Sequence, residues 1–266
     1  MMSQINRHAD YDQIARTYDT RYERNSYVGV EQALRGFIGS QPGLEILEIG
    51  CGTGHWLDFV HALSRIHLTG LDFSAGMLAQ ARSRLPGIPL VQGTAERLPW
   101  QAQSFDRLFC INAFHHFPDK VAFLAEARRI LRPAGMILIV GLDPHSAVDQ
   151  WYVYDYFKES LEIDKKRYPA SSSLRTWMKE AGFEGCLTQE VEHWTYRLPT
   201  HEILRQGRLD KTSTSQLSVL TDAEYQRGME RIRVDIERAE AQEQTLFLTA
   251  DLRLYGTIGS IAERPG

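Results

Sequence analysis

Cysteine is scarce in this 266-residue chain. There are three, at 51, 110 and 186, far apart and with no CxxC pair. That excludes a disulfide framework and offers no zinc-ligand spacing. An excess of positive charge is missing too. The 30 Lys and Arg are outnumbered by 34 Asp and Glu, for a formal net charge of -4. Phosphate binding favours a basic surface, so nucleic acid is not expected as a partner. No apolar run reaches the roughly 20 residues that a membrane-spanning helix needs. The first thirty residues are polar and aromatic, with no apolar core of a signal peptide. Repeats and low-complexity linkers are absent as well. These absences lead us to expect a cytoplasmic protein without metal or membrane attachment, and leave its oligomeric state open. With 43% apolar and 24% charged residues, the composition is that of an ordinary globular protein. A chain of this size can bury a core without covalent staples.

What is present is alternation. Short apolar runs at 44–49, 66–71, 88–92, 105–111 and 136–141 are bounded by Gly, Pro or polar residues and read as strands. Helical patterns lie between them. Asp119 can cap a helix whose stripe is Val121, Leu124, Ala127 and Leu131, and residues 133–135 break it. Such alternation implies a mostly parallel sheet covered on both faces. Cys110 and Cys186 fall in strand patterns and read as core residues. Beyond 141 the pattern changes. Residues 148–161 and 171–181 look helical, and 183–196 and 245–257 look extended. Two helical stretches lie between those last strands, the second opening on the capping box Thr221-x-x-Glu224. We read residues 1–266 as one domain: a helical N-terminal cover (1–40), a ligand-binding core (41–147), and a C-terminal part of the sheet (148–266) with a candidate lid at about 198–244.

The most informative segment is Glu48-Ile49-Gly50-Cys51-Gly52-Thr53-Gly54. It follows the first strand and opens a helix. Glycines there let the backbone turn sharply and approach a ligand, and the helix start offers free N–H groups. The dinucleotide fingerprint is G-x-G-x-x-G. Here the third glycine comes one residue early, and position 55 is His. Glu48 would repel a pyrophosphate and attract an ammonium group. The pattern therefore points to a nucleoside bearing an amino acid. Asp72, ending the second strand, can accept both hydroxyls of a ribose. Ser74 can cap the helix that follows. Met77 suits either the face of adenine or the core.

With these residues in place, the chain resembles the class I S-adenosylmethionine (SAM)-dependent methyltransferases, in particular those acting on small molecules. The resemblance is carried by Glu48-x-Gly50-x-Gly52-x-Gly54 and Asp72, and by residues 93–100 (GTAERLPW), 104–112 (SFDRLFCIN), 113–119 (AFHHFPD) and 131–136 (LRPAGM). Residues 11–19 (YDQIARTYD) resemble the helix that covers SAM, so the likeness runs from about 11 to 141. It implies a Rossmann-like, doubly wound α/β sheet of seven mostly parallel strands, the last antiparallel. It also implies SAM as cofactor, S-adenosylhomocysteine as product and no metal. Gly50, Cys51, Gly52 and Gly54 would pack at the methionine end, where Glu48 would hold the amino group and Asn112 would offer its carbonyl. Asp72 would bind the ribose. Ala95 and Glu96 would frame adenine beside Phe73 and Met77, with Tyr18 covering the cofactor. Thr94 departs from the Asp common at its position, which weakens the bond expected to the adenine amino group.

Methyl transfer is an in-line displacement, so orientation is its first requirement. A base is needed only for a protonated, poorly nucleophilic acceptor. His115 and His116, after the fourth strand, stand where the family's acceptor pocket opens and are the candidate catalytic residues. The bland alternative is that they shape the pocket. Asp143, His145 and the aromatic run 151–157 are further candidate pocket residues. The competing reading of the whole chain is a SAM-binding regulator, or a non-methylating enzyme, on the same fold. Nothing in the sequence names the acceptor or the atom methylated.

Overall fold

The structure, a computed structural model, describes residues 11–15, 18–63 and 66–263. The first ten residues of the expected N-terminal cover lie outside these. In chain order the elements are α1 (Tyr11–Ile14), α2 (Thr20–Arg24), α3 (Val28–Ile38), β1 (Glu45–Ile49), α4 (His55–His61), β2 (His67–Asp72), α5 (Ala75–Arg84), β3 (Leu90–Gln92), β4 (Phe105–Ile111), α6 (Lys120–Ile130), β5 (Leu131–Gly141), β6 (Gln150–Trp151), α7 (Tyr152–Tyr156), α8 (Lys158–Arg167), α9 (Ser171–Glu180), β7 (Glu184–Pro199), α10 (Thr200–Arg205), α11 (Ser215–Ser218), α12 (Asp222–Glu240) and β8 (Phe247–Ser260).

Ile46, Leu47, Glu48 and Ile49 are all buried. This is the mark of a strand covered on both faces, and β1 runs parallel to β2 on one side and β4 on the other. The sheet order is β3-β2-β1-β4-β5-β8, with β7 on β8. β8 runs antiparallel to β5, Met136 opposite Ser260 and Gly141 opposite Tyr255. These are the seven strands expected. The chain goes outward from β1 to β3, then returns to place β4 on the other side of β1. That reversal makes the C-terminal ends of β1 and β4 the switch point where open α/β sheets bind ligands.

The expected caps form. Asp119 accepts from the Ala122 N–H, Ser74 from the Met77 N–H, and Thr221 with Glu224 completes a capping box. Two elements differ from expectation. Residues 148–161 are not one helix: Gln150 and Trp151 pair with Asp251 and Ala250 as an eighth strand, β6. Phe157 then leaves helical geometry between α7 and α8, at φ -108°, ψ 70°. β5 also begins earlier, because Leu131 already pairs with Phe105. Residues 132–135 bulge out of the ladder, with Ala134 at φ +59°.

The chain divides into two compact units. One comprises residues 11–143, 168–192 and 253–263 of those described. Its core joins the faces of β1, β4 and β5 to α6 and α9 through Leu47, Leu108, Phe123, Ile139 and Met178. The other comprises 144–167 and 193–252, centred on Val153, Phe157, Ile203, Leu217, Ile232 and Leu248. There Phe157 occupies the space beside Gly228 in the middle of α12; a Cβ on Gly228 would lie 2.2 Å from the Phe157 ring. Trp151, Tyr152 and Phe157 are buried in this core, and Tyr154 and Tyr156 donate to Asp164 and Asp235. Packing and pairing thus account for the aromatic run. The cations Arg205 and Lys211 likewise pair locally, with Glu202 and Asp222. Among the described residues no helix is long and apolar enough to cross a membrane.

Candidate active site

The site is built from the turn after β1. Gly50, Gly52 and Gly54 all have left-handed backbones, at φ +72°, +52° and +79°. Each glycine meets a different neighbour. A Cβ on Gly50 would lie 2.4 Å from the Ala113 Cβ, and one on Gly54 would lie 3.1 Å from Leu85, which directly follows α5. These two glycines let the turn sit against its surroundings. Gly52 instead faces the Tyr18 ring, with its Cβ position 3.8 Å from Cε1. Cys51 between them is buried, and its thiol pKa is pushed well up by burial.

Asp72 is tied into the same turn. Its Oδ2 accepts the Gly52 N–H at 2.8 Å and its Oδ1 accepts the Ser74 N–H at 2.9 Å. The strand-end carboxylate therefore braces the glycine turn, a role absent from the sequence reading. Each oxygen retains acceptor capacity. Burial nevertheless raises the Asp72 pKa, against the lowering effect of these N–H donors. Glu48 is 1% exposed, and its Oε2 is buried without a hydrogen-bond partner. Burial, with Asp72 nearby as a second cause, raises its pKa well above the ordinary carboxylate range. An orphaned buried carboxylate oxygen beside a turn of left-handed glycines is the arrangement a ligand ammonium would complete.

Asp12 and Asp19 tie their backbone to this turn through side-chain bonds. Asp12 accepts from the Ser74 hydroxyl and the Gly76 N–H, and Asp19 accepts from the Thr53 hydroxyl and pairs with Arg84. Met77 is buried against Ala15, Tyr11 and Tyr18. Phe73 is 55% exposed, edge-on to Tyr11. Past β3, Thr94 is exposed, Ala95 is buried, and Glu96 accepts from the Asp119 N–H at 3.4 Å. Asn112, after β4, is left-handed at φ +51°, and its N–H donates to the Val140 carbonyl.

The two histidines occupy a 3-10 turn at Phe114–His116. They take different partners. His116 Nε2 bonds to the Tyr11 hydroxyl, whereas His115 Nε2 lies 3.0 Å from the Tyr168 hydroxyl. The His115 and Tyr168 rings stack, with centroids 4.0 Å apart. Both line a small cleft, partly open to solvent, with Gly141, Ser171, Tyr255 and Thr257. Asp143 accepts the Ser171 N–H at the start of α9. Tyr168, Asp12 and Asp19 went unread as site residues. The two aspartates lie inside the 11–19 motif, whereas nothing in the sequence links Tyr168 to His115. Among the described residues no group of three or more His, Cys, Asp or Glu could hold a metal ion.

Residues 46–135 match a family model described as "Methyltransferase domain". A phthiotriol/phenolphthiotriol dimycocerosates methyltransferase from Mycobacterium leprae is 42% identical over 136 residues, 50% of each chain. The match thus spans half the length of that relative. The demethylmenaquinone methyltransferase of Staphylococcus aureus is 28% identical over 194 residues, 66% of this chain and 79% of that one. Among solved structures, phosphoethanolamine N-methyltransferase 2 of Haemonchus contortus, in complex with phosphomonomethylethanolamine and S-adenosylhomocysteine, superposes with a TM-score of 0.61 at 16% identity. It covers 95% of this chain and 58% of that one. At that identity the likeness is one of fold.

Proposed function

We infer that this chain is a class I SAM-dependent methyltransferase that transfers the methyl group of SAM to a small-molecule acceptor, a reading supported by the methyltransferase family model over residues 46–135 and by the methyltransferase relatives. The observation that carries this reading is a pair of strand-end carboxylates at three left-handed glycines, one braced and one with an orphaned oxygen. Glu48 takes the ammonium of the methionine end. Asp72 keeps lone pairs for the ribose hydroxyls while holding Gly52 and Ser74. The buried Ala95 frames the base with Thr94 and Glu96, and Phe73 offers it an exposed ring. Gly50, Cys51 and Gly54 shape the turn, Asn112 lends its carbonyl, and Tyr18 covers Gly52. Met77 acts from beneath, through Tyr18.

SAM, when bound, supplies an electrophilic methyl on a sulfonium. The protein's own contribution is alignment, which can lower a barrier by on the order of 7–11 kcal/mol, and exclusion of water from a centre that loses charge. The acceptor enters the cleft of His115, Tyr168, Tyr255 and Thr257. His115 takes the acceptor's proton where one must leave, and His116, bonded to Tyr11, holds the turn. The relatives' names suggest two acceptors to test first, a demethylmenaquinone and a phthiotriol-type lipid. Operation in the cytoplasm, free of nucleic acid and membrane anchoring, belongs to the same proposal.

Incubation with methyl-labelled SAM and each acceptor should place label in the acceptor and yield an equal amount of S-adenosylhomocysteine. SAM binding with no transfer to any acceptor would favour a regulator. His115→Ala should lower turnover about 100-fold or more with SAM affinity nearly unchanged; wild-type turnover in that variant removes His115 from the chemistry.

A further inference from the structure

His115 Nε2 lies 3.0 Å from the Tyr168 hydroxyl, and the two rings stack at 14° with centroids 4.0 Å apart. Both side chains are buried, yet both line the cleft beside Tyr255 and Thr257. A phenol O–H is a far stronger acid than the N–H of a neutral imidazole, so Tyr168 is the donor in this pair. A neutral His115 then holds its ring proton on Nδ1 and accepts at Nε2. The Nε2 lone pair points at the phenol oxygen, and an incoming proton reaches it by way of that oxygen. Among the described residues, those lining the cleft are apolar, aromatic or hydroxylic and include no Asp, Glu, Lys or Arg. Such walls neither pair with a phosphate or carboxylate nor balance an ammonium; they suit an acceptor without charged groups. The titratable and charged groups around His115 include His116, its ring centroid 3.7 Å away, and Tyr11 bonded to it. They also include Tyr255 in the cleft wall, Asp143 on the Ser171 N–H and Lys120 over the Phe114 ring. All of these belong to one compact unit.

We propose that Tyr168 is a catalytic residue: its hydroxyl meets the hydroxyl of an acceptor with no charged group elsewhere, and relays that acceptor's proton to His115. The proposal rests on the SAM reading above and makes the reaction an O-methylation. The acceptor oxygen forms its bond to the methyl carbon as the carbon–sulfur bond breaks, and that bond's electron pair stays on sulfur, giving S-adenosylhomocysteine. The acceptor O–H bond breaks in the same step. Its proton joins the Tyr168 oxygen, and the proton that Tyr168 held passes to Nε2. The imidazolium so formed releases a proton to solvent at the open side of the cleft. Tyr168 is a phenol before and after the step, so no phenolate is left among apolar walls.

Calorimetry with SAM and single-turnover assays with methyl-labelled SAM test this on two probe acceptors: phenol, protonated at about pH 8, and para-nitrophenol, mostly ionised there. Wild type should methylate both on oxygen. Tyr168→Phe keeps the ring and its stacking. It should leave SAM affinity unchanged and lower the rate with phenol about 100-fold. Its rate with para-nitrophenol should stay near wild type, because that acceptor has no proton to pass. Equal losses on the two phenols would mean that Tyr168 only packs against His115, and would overturn the relay. The double variant with His115→Ala should be no slower with phenol than the slower single variant, as residues acting as a unit require; multiplied losses would refute the shared route. In mixtures of light and heavy water the wild-type rate with phenol should fall along a curve, because two protons move together. A straight line means one proton and a direct histidine base, and this measurement decides the case if Tyr168→Phe loses SAM binding. Wild type that binds SAM but methylates neither phenol overturns the hydroxyl acceptor. Wild type that binds no SAM sinks the underlying reading instead.

Discussion

At the scale of single residues, the site makes one negative charge costly. Burial holds the Glu48 carboxyl well above its ordinary pKa, and Asp72 adds to the shift. The folded chain therefore binds that proton more tightly than the unfolded chain does. By linkage, the stability Glu48 contributes is fully present below the ordinary glutamate pKa and declines as pH rises through the raised folded value. Glutamine cannot ionise, so Glu48→Gln should melt higher than wild type at pH 8. The expected gain is about 2–4 °C for each kcal/mol recovered, and it should shrink toward pH 4.5. Binding of an ammonium works the other way, since it needs the carboxylate ionised. SAM affinity of the wild type should rise with pH over the same window and release a proton, seen as heats of binding that depend on the buffer. A melting difference that does not grow with pH, or wild-type SAM affinity in the glutamine variant, would count against this assignment.

At the scale of elements, the three glycines of the β1–α4 turn separate packing from binding. Gly50 is closed by the Ala113 Cβ, whereas Gly52 opens toward Tyr18. Gly50→Ala should cost about 1–3 kcal/mol for the clash and a further ~1–2 kcal/mol for its left-handed backbone, measured by urea unfolding. Gly52→Ala should cost only the backbone part in stability, yet lower SAM affinity because its methyl enters the space under Tyr18. Equal stability losses in the two variants would refute the distinction. The same turn explains what could be read from the residues alone. Left-handed turns demand glycine locally, and a carboxylate ending a strand is visible in the strand pattern, so Gly50, Gly52, Gly54 and Asp72 were legible. Alternating apolar runs likewise revealed the seven strands. The bonds from Asp72 to Gly52 and Ser74 were not legible, because a carboxylate's partners depend on how two strand ends meet. Tyr168 is 53 residues from His115. Such features exist only once the chain has folded. The split of 148–161 was hidden for a related reason: Trp151 has helical neighbours, but its strand partner, Ala250, is distant in sequence.

At the scale of the whole molecule, the groups assigned to SAM fall in one compact unit. Glu48, Asp72, Ala95 and Asn112 all belong to residues 11–143, while α10, α11 and α12 belong to the other unit with a core of its own. A ligand that binds only the folded state stabilises it by about 2.7 kcal/mol at a hundred times its dissociation constant, and amide exchange shows where that stabilisation is felt. Saturating SAM should therefore slow exchange at residues 50–54, 72–77 and 94–96, the backbone of the proposed cofactor site. The amides of α12, held by its capping box and by the Phe157 contact at Gly228, should exchange at the same rate with and without SAM. Protection of α12 equal to that of the glycine turn would mean that both units respond to the cofactor as one cooperative body. Protection of neither region would mean that SAM is held elsewhere, and would take the Glu48 and Asp72 assignments with it.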